Sequence, residues 1–383
     1  MPGSPIYLDN NATTVCDPRV VAEMLPYFTE VYGNAASRTH SFGWAAEEAV
    51  GLARERVASL IGAEAQEIVF TSGATEAVNL ALKGVFERYA SKGRHLITSA
   101  TEHKAVLDTC HHIEKNGGRV TYLPVDHHGS IDPVQLEAAI TTDTILVSVM
   151  YANNETGTIQ PTGEIASIAK KHGVLFFCDA TQAVGKIPVS VTADGIDLLA
   201  LSAHKIYGPK GAGALYVRRK NPRVSLTAQM DGGGHERNMR SGTLNVPGIV
   251  GLGKAADLCR LEMPTEAPRL SLLRDHLEAA LLSIPDTLVN GNPSSRLPHV
   301  TNLSFQNVDS QQLLISLAKE IALSSGSACT SANPEPSYVL KAMGLPDDLA
   351  RASLRFSLGR FTTSEEIERV ITLVTAAVKR LRK

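Results

Sequence analysis

Short apolar runs alternate with longer segments of helical periodicity between residues 67 and 219, and this alternation constrains the fold more than any other feature. The run "EIVF" (67–70) leads through a glycine turn into "ATEAVNLALKGVFERYA", in which apolar residues recur at helical spacing. The same order returns with "RHLITSA" before "HKAVLDTCHHIEKNGG", and with "TILVSVM" and "VLFFCD" on either side of "GEIASIAKKHG"; "DLLALS" and "GALYVRR" follow as further strands. Because continuous apolar strands separated by amphipathic helices are typical of parallel sheets covered on both faces, the sequence predicts an α/β fold with a mostly parallel sheet.

The pattern changes after about residue 255. Long helical stretches such as "RLSLLRDHLEAALLSI" dominate there, and only a few short strands, including "LPHVTNLSF" and "ASLRFSL", remain. The change predicts a second, smaller α+β domain. We therefore expect a large domain over residues 13–256 and a small domain over 257–383, with the N-terminal segment 1–12 packing on the small domain.

Composition excludes several classes of protein. With 383 residues, 43% of them hydrophobic and 20% charged, the chain is an ordinary globular protein long enough for more than one core. A formal net charge of -2 gives no general attraction to nucleic acid, so we expect no direct nucleic-acid binding. No apolar run approaches the roughly 20 residues needed to span a bilayer, and the start "MPGSPIYLDNN" lacks signal-peptide features. We expect a cytoplasmic protein with no membrane partner.

The cysteines predict reduced thiols. They are Cys16, Cys110, Cys178, Cys259 and Cys329, an odd number, spread widely and without a C-x-x-C pair. This distribution argues against a disulfide framework and against a closed zinc site, so we predict no resident metal.

Cys329 differs from the other cysteines because it lies among small polar residues in "SSGSACTSANPEP" (324–336). A free cysteine is most often a small buried hydrophobe. The serines, glycine and prolines around Cys329 instead indicate a surface loop, so the alternative is a thiol on a tether that moves between two places.

Polar residues with catalytic potential follow several of the predicted strands, at the edge where ligands bind in parallel sheets. Lys205 comes just after "DLLALSAH", and Asp179 ends "VLFFCD", where a carboxylate needs a cationic partner. A pyridinium nitrogen would be such a partner, and a lysine amine can bind the aldehyde of pyridoxal 5′-phosphate (PLP). Taken alone, Lys205 has a simpler explanation as a solvated surface charge, but its position at the same sheet edge as Asp179 favours a PLP site.

A phosphate site is predicted beside them. The turn Gly73–Ala74–Thr75 opens a helix, whose free N–H groups favour an anion, and Ser202 and His204 could add donors. A helix cap without ligand is the alternative for this turn. His103 also begins a helix, either as an N-terminal polar residue or as an imidazole that lies over the cofactor ring and moves protons.

Ten ordered blocks of the chain resemble the class V aminotransferase family, and within it the cysteine desulfurases of the NifS and IscS type. The blocks are "YLDNNATT", "GNAASRTH", "EIVFTSGATEA", "TEHKAVLDTC", "NNETG", "DATQAVGK", "SAHKIYGPKG", "GGGHERNMRSGT", "SSGSACTSANPEPSYVL" and "RFSLGRFTT". The resemblance implies PLP fold type I with a seven-stranded sheet, a homodimer, and conversion of L-cysteine to L-alanine with a persulfide left on the enzyme.

The resemblance also implies a role for individual residues. Lys205 would carry PLP, Asp179 would bind the ring nitrogen, and Gln182 the ring hydroxyl. Asn154 would contact both that hydroxyl and the substrate. The remaining expectations are a phosphate cradle of Ala74, Thr75, Ser202 and His204 with Thr243 from the partner subunit, His103 as the stacking acid–base, Arg355 as the clamp for the substrate carboxylate, and Cys329 as the sulfur-accepting nucleophile.

Several alternatives stay open from the sequence. A selenocysteine lyase or another PLP β-lyase would not need the Cys329 thiol, and a non-catalytic sulfur-transfer interaction protein would keep the fold without the cofactor. Cys329 could also serve as a transient metal or cluster ligand. The sequence stops at "AVKRLRK", where IscS-type enzymes continue into an extension that contacts the iron–sulfur scaffold, and this departure argues against delivery to such a scaffold. The acceptors that the resemblance implies are an iron–sulfur scaffold protein, a nitrogenase cluster maturation system, or a tRNA or DNA thiolation enzyme.

Overall fold

A seven-stranded sheet forms the centre of the molecule, as the sequence predicts. The computed structural model describes residues 5–325 and 335–382. The strands are β1 (Ile6–Tyr7), β2 (Ile68–Thr71), β3 (His95–Ser99), β4 (Arg119–Leu123), β5 (Thr144–Ser148), β6 (Leu175–Asp179), β7 (Leu198–Ser202), β8 (Gly213–Val217), β9 (Thr287–Asn290), β10 (Val300–Phe305), β11 (Ile321–Ala322) and β12 (Ser353–Ser357). The large sheet has the order β2-β8-β7-β6-β5-β3-β4, and β8 alone runs antiparallel to its neighbours.

Helices cover both faces of this sheet. They are α1 (Pro18–Met24), α2 (Pro26–Thr29), α3 (Ser41–Ile61), α4 (Ala74–Arg88), α5 (Lys104–Lys115), α6 (Pro133–Ala139), α7 (Thr162–Lys171), α8 (His235–Asn238), α9 (Val246–Leu282), α10 (Ser310–Leu317), α11 (Tyr338–Ala342), α12 (Asp347–Arg351) and α13 (Ser364–Leu381). Successive residues of each strand enter different cores. In β6, Phe176 and Cys178 pack with α3, α7 and α9, while Leu175 and Phe177 pack with α4 and α5. Burial on both faces explains the uninterrupted apolar runs in the sequence.

A third core follows in the C-terminal part of the chain. The strands β9, β10 and β12 form an antiparallel sheet that packs on α10, α13 and the end of α9. β1 pairs in parallel with β11, so the N-terminal segment joins this part of the molecule. α9 is continuous from Val246 to Leu282, although it contains Pro264 and Pro268. The predicted boundary between residues 256 and 257 falls inside α9, and the division into two domains stays a prediction.

The topology brings the carboxyl ends of six strands, β2 to β7, to one edge of the large sheet. β3, β5, β6 and β7 are parallel and lie side by side, and the turn that follows β2 reaches the same edge. The loops after these strands contain most of the sequence-predicted site residues. Within the described residues, no helix combines the length and apolar character needed to cross a bilayer.

Candidate active site

A cavity of about 590 Å³ opens at this edge of the sheet. Nine of the sequence-predicted residues line it. They are Ala74, Thr75, His103, Asn154, Asp179, Gln182, Ser202, His204 and Lys205. The predicted convergence of these strand ends is therefore confirmed. The role of each residue stays a prediction.

Lys205 projects into the cavity from a single 3₁₀ turn, Ala203–Lys205, that follows β7. Its Nζ donates hydrogen bonds to the main-chain carbonyls of Asn11 and of Ala12, the latter at 2.6 Å. Burial lowers the pKa of Lys205 to about 8, and the charge of Arg355 acts in the same direction. A sizeable fraction of this amine is thus neutral near physiological pH, which a lysine nucleophile requires.

Asp179 ends β6 and is only 7% exposed. Its Oδ1 accepts a hydrogen bond from the main-chain N–H of Thr181 at 3.0 Å. The nearby Thr181 Oγ1 has no hydrogen-bond partner among the described residues. A buried carboxylate held by one main-chain bond retains acceptor capacity for a cationic ring N–H.

The first turn of α4 is open to the cavity. Gly73 is the N-cap residue, with φ 155°, and has no side chain to cap the first N–H groups of the helix. A Cβ on Gly213 would lie 2.6 Å from the Cα of Gly73, so β8 can approach this turn only because position 213 is glycine. The charge of Glu76 in this turn is paired with Arg240 at 2.7 Å. Free N–H groups and a neutralised carboxylate make the turn suitable for an anion.

Ser202 and His204 lie beside this turn on the lysine side of the cavity. His204 Nδ1 lies 3.1 Å from Thr13 Oγ1. Burial, followed by the charges of Lys205 and Lys210, lowers the pKa of His204 to about 4. His204 is therefore a neutral imidazole that contributes hydrogen bonding and no charge.

His103 is the N-cap of α5, which confirms that it begins this helix. Its Nδ1 accepts a hydrogen bond from the N–H of Ala105 at 3.1 Å, and the side chain is exposed toward the cavity. Because Nδ1 is an acceptor, the ring proton of the neutral form lies on Nε2. The ring is therefore oriented to exchange a proton at Nε2.

Arg355 lies behind the cavity wall. Its Nη1 donates to the main-chain carbonyl of Asn154 at 2.9 Å, and its Nη2 pairs with Asp9 at 2.7 Å. The Oδ1 of Asn154 and the Nε of Arg355 are buried and have no partner within the described residues. The guanidinium is already held by Asp9, so the predicted carboxylate clamp would have to share or displace that pair.

Among the described residues, neither Arg355 nor Thr243 lines the cavity. Thr243 is exposed. Cys329 lies outside the residues that the structure describes.

The site also contains groups that sequence reasoning missed. The main-chain carbonyls of Asn11 and Ala12 accept hydrogen bonds from the lysine amine. The segment "LDNNATT" resembles the family, but no side chain in it predicts these main-chain bonds. Glu102 is completely buried next to His103, and burial raises its pKa to about 8. Its Oε1 accepts from Ser99 Oγ at 3.0 Å and from the N–H of Met150 at 2.7 Å. An acidic residue after a buried strand was the available signal for Glu102.

Comparisons with known proteins agree over nearly the whole chain. Residues 6–370 match the aminotransferase class-V family. The cysteine desulfurase IscS of Anaeromyxobacter dehalogenans is 58% identical over 380 residues, which cover 99% of this chain and 94% of that protein. The structure of a NifS-like protein has a TM-score of 0.92 at 37% identity and covers 98% of this chain and 100% of its own. A structure of SspA in complex with cysteine has a TM-score of 0.83 at 36% identity and covers 94% and 100%, respectively.

Proposed function

The chain belongs to the class V aminotransferase family, and we infer that it is a PLP-dependent cysteine desulfurase. It converts L-cysteine to L-alanine and releases the sulfur for transfer to an acceptor. One observation carries the assignment: an amine of lowered pKa, a buried carboxylate and an uncapped helix N-terminus share one cavity. These are the groups that fit the aldehyde, the ring nitrogen and the phosphate of PLP. The relatives named cysteine desulfurase specify the reaction within this family.

The residues present fit the cofactor. Lys205 would hold PLP through its aldehyde, Asp179 through the ring nitrogen, and Gln182 and Asn154 through the ring hydroxyl. The phosphate would lie against Ala74 and Thr75 at the start of α4, with Ser202 and His204 as further donors. The unpartnered buried oxygen of Asn154 supports its part of this assignment, because a buried acceptor without a partner is costly unless a ligand satisfies it. When bound, PLP withdraws electrons from the α-carbon of an attached amino acid and so makes the Cβ–S bond of cysteine cleavable.

We assign the proton transfers to two side chains of the cavity. The Nζ of Lys205, which lies against the carbonyls of Asn11 and Ala12, would take or return a proton at the substrate α-carbon. His103 would exchange a proton at Nε2, since its Nδ1 is occupied by the main chain of α5. Arg355 would attract the carboxylate of cysteine, with Asp9 and the carbonyl of Asn154 holding the guanidinium in place.

We propose Cys329 as the residue that accepts the sulfur. Its thiolate would attack the sulfur of cysteine, so that an S–S bond forms while the Cβ–S bond of the substrate breaks. The electron pair of the broken bond stays on carbon, which takes up a proton to become the methyl group of alanine. The persulfide on Cys329 then passes its outer sulfur to an acceptor thiol or scaffold protein.

The proposal includes a homodimer in the cytoplasm. A group of large apolar side chains between residues 25 and 44 supports the dimer, because exposed apolar surface of this kind often marks a protein interface. Its members are Leu25, Phe28, Tyr32, Phe42 and Trp44. Thr243 is exposed and would complete the phosphate site of the other subunit. The free thiols of Cys16, Cys110, Cys178 and Cys259 fit a reducing compartment.

The deciding experiment compares Cys329→Ser with Cys16→Ser, which changes a partly exposed cysteine that does not line the cavity. Both variants should bind PLP and keep its absorbance. Sulfide release from L-cysteine in the presence of dithiothreitol should fall to background in Cys329→Ser and stay near wild type in Cys16→Ser. Desulfuration that persists without the Cys329 thiol would contradict the assignment and favour a β-lyase.

A further inference from the structure

A second cavity lies at the opposite edge of the large sheet, where the parallel strands begin. Its volume is about 620 Å³, similar to that of the cavity around Lys205. Thr144 at the start of β5 and Leu175 at the start of β6 line it, together with residues from the C-terminal ends of α4 and α7. Cavities of this size accommodate drug-sized molecules. Neither the sequence motifs nor the proposed function involve it.

Positive charge dominates this second cavity. Its lining cations are Lys92, Lys170, Arg218 and Arg223, and Asp197 is the one carboxylate among the described lining residues. Asp197 is already satisfied, because its Oδ1 lies 2.9 Å from Arg218 Nε and its Oδ2 accepts from the N–H of Phe176 at 3.0 Å. The other three cations therefore face a cavity whose one described carboxylate is already paired with Arg218.

Helix ends account for part of this charge. Lys170 lies in the last turn of α7, and Lys92 follows the end of α4, where cations offset the partial negative charge of the helix. Each helix C-terminus amounts to about half a negative charge. Two such ends and Asp197 together balance about two of the four cations, so a positive excess of about two charges remains. Stabilisation of the helix ends is thus too small to explain the whole set.

The unengaged groups indicate what the cavity would bind. Lys170 and Arg223 form no ion pair within the described residues, and the planar guanidinium of Arg223 suits a phosphate. Val174, Leu175 and Pro222 give the cavity an apolar wall, and Tyr89, with Lys92 Nζ 5.3 Å from the centre of its ring, also lines it. A small inorganic ion would not contact most of this apolar wall.

We propose that this cavity binds an organic phosphate of nucleotide size, with the phosphate against Lys170 and Arg223 and a flat ring against Tyr89 and Pro222. The proposal is independent of the desulfurase reaction, because the two cavities lie at opposite ends of β5 and β6. Binding here would stand even if the chemistry assigned to Lys205 were wrong.

The test uses the full chain loaded with PLP and freed of excess coenzyme, so that the cavity around Lys205 is filled. Isothermal titration calorimetry with ADP should give saturable binding at one site per chain. Adenosine, which lacks the charge, and inorganic phosphate, which lacks the ring, should each bind at least about tenfold more weakly. Phosphate that binds as tightly as ADP would overturn the ligand class.

Matched charge reversals locate the site. Lys170→Glu and Arg223→Glu should each weaken ADP binding by about tenfold or more, because an attractive charge becomes repulsive. Lys171→Glu is the control for the first, since Lys171 follows it in α7 but pairs with Glu137 at 2.6 Å. Arg219→Glu is the control for the second, since Arg219 donates to Gln66 at 2.9 Å. Both controls should change the affinity by less than about twofold.

Three results would reject the site: no saturable heat with ADP, equal weakening in the control variants, or displacement of PLP by ADP. The PLP absorbance followed during the titration detects the last of these. All four substituted side chains are at the surface or partly exposed, so the variants are expected to fold.

Discussion

Asn11 holds Lys205 through its main-chain carbonyl, and His299 holds Asn11. The carbonyl of Asn11 accepts from Lys205 Nζ and also from Gln182 Nε2 at 3.1 Å. The Oδ1 of the same residue lies 2.8 Å from Nε2 of the fully buried His299, and its Nδ2 donates to the carbonyl of Asn154 at 3.0 Å. Burial holds the pKa of His299 far below its usual value, so this ring is neutral and donates from Nε2. Asn11 therefore connects the residues assigned to the cofactor with one assigned to the substrate.

The lowered pKa of Lys205 predicts how the apoenzyme takes up PLP. Only the neutral amine attacks the aldehyde, so the rate should rise with pH and level off above about 8. An ordinary lysine would place this midpoint near pH ~10.4. The measurement is the rate of PLP absorbance change on mixing with apoenzyme between pH 6 and ~10.5, a range set to bracket both values. Lys205→Ala should show no covalent uptake after borohydride reduction, and a wild-type midpoint near 10 would contradict the burial described here.

Asn11→Ala should move the same midpoint to lower pH. Carbonyl acceptors favour the charged form of an amine. Asn11→Ala removes the side-chain bonds to His299 and Asn154, so the main-chain carbonyl of residue 11 is held less firmly against Lys205. The matched control is Asn10→Ala, which removes an adjacent buried amide whose Nδ2 donates to the carbonyl of Ser357 at 2.9 Å. Asn10→Ala can lower the melting temperature but should leave the midpoint of uptake unchanged. Equal shifts in both variants, or no shift in Asn11→Ala, would assign Asn11 to the fold alone.

Asp179→Asn tests the partner of the ring nitrogen. An amide can keep the 3.0 Å bond from the N–H of Thr181, so the fold and the melting temperature should be nearly unchanged. An adjacent opposite charge shifts a pKa by about 1–3 units, so its loss should reduce the protonated ring and with it kcat by about 10- to 1000-fold. The measurements are kcat for sulfide release and the absorbance spectrum of the bound coenzyme. A kcat for Asp179→Asn within twofold of the wild-type value would argue against the assigned role.

Regularities of buried strands made the fold and much of the site predictable. A strand buried on both faces must be apolar throughout, which "VLFFCD" and "DLLALS" display, and such strands run parallel in α/β folds. Polar residues directly after them must then meet at one edge of the sheet. Lys205, Asp179 and His103 each follow this rule, and all three line the cavity.

Features that depend on distant contacts were not predictable from local pattern. β4 is an edge strand with a partly exposed surface, so "RVTYL" lacks the continuous apolar pattern. The bonds from Lys205 to the carbonyls of Asn11 and Ala12 join residues nearly two hundred positions apart through main-chain atoms, which no side-chain motif encodes. Pro264 and Pro268 would ordinarily end a helix, yet α9 continues through both.

Arg360 is predicted to contribute far more stability than Arg19, although both pair with Asp17. Arg360 Nη1 lies 2.9 Å from Asp17 Oδ2, its Nε lies 2.7 Å from Glu266 Oε2, and all three side chains are buried. Arg360→Ala leaves two buried carboxylates without this cation and should lower the free energy of unfolding by about 3–5 kcal/mol. Arg19 is 48% exposed, so Arg19→Ala should cost less than about 1 kcal/mol despite its 2.7 Å pair with Asp17. Urea unfolding of the two variants makes the comparison, and similar losses would show that burial does not govern the strength of these pairs.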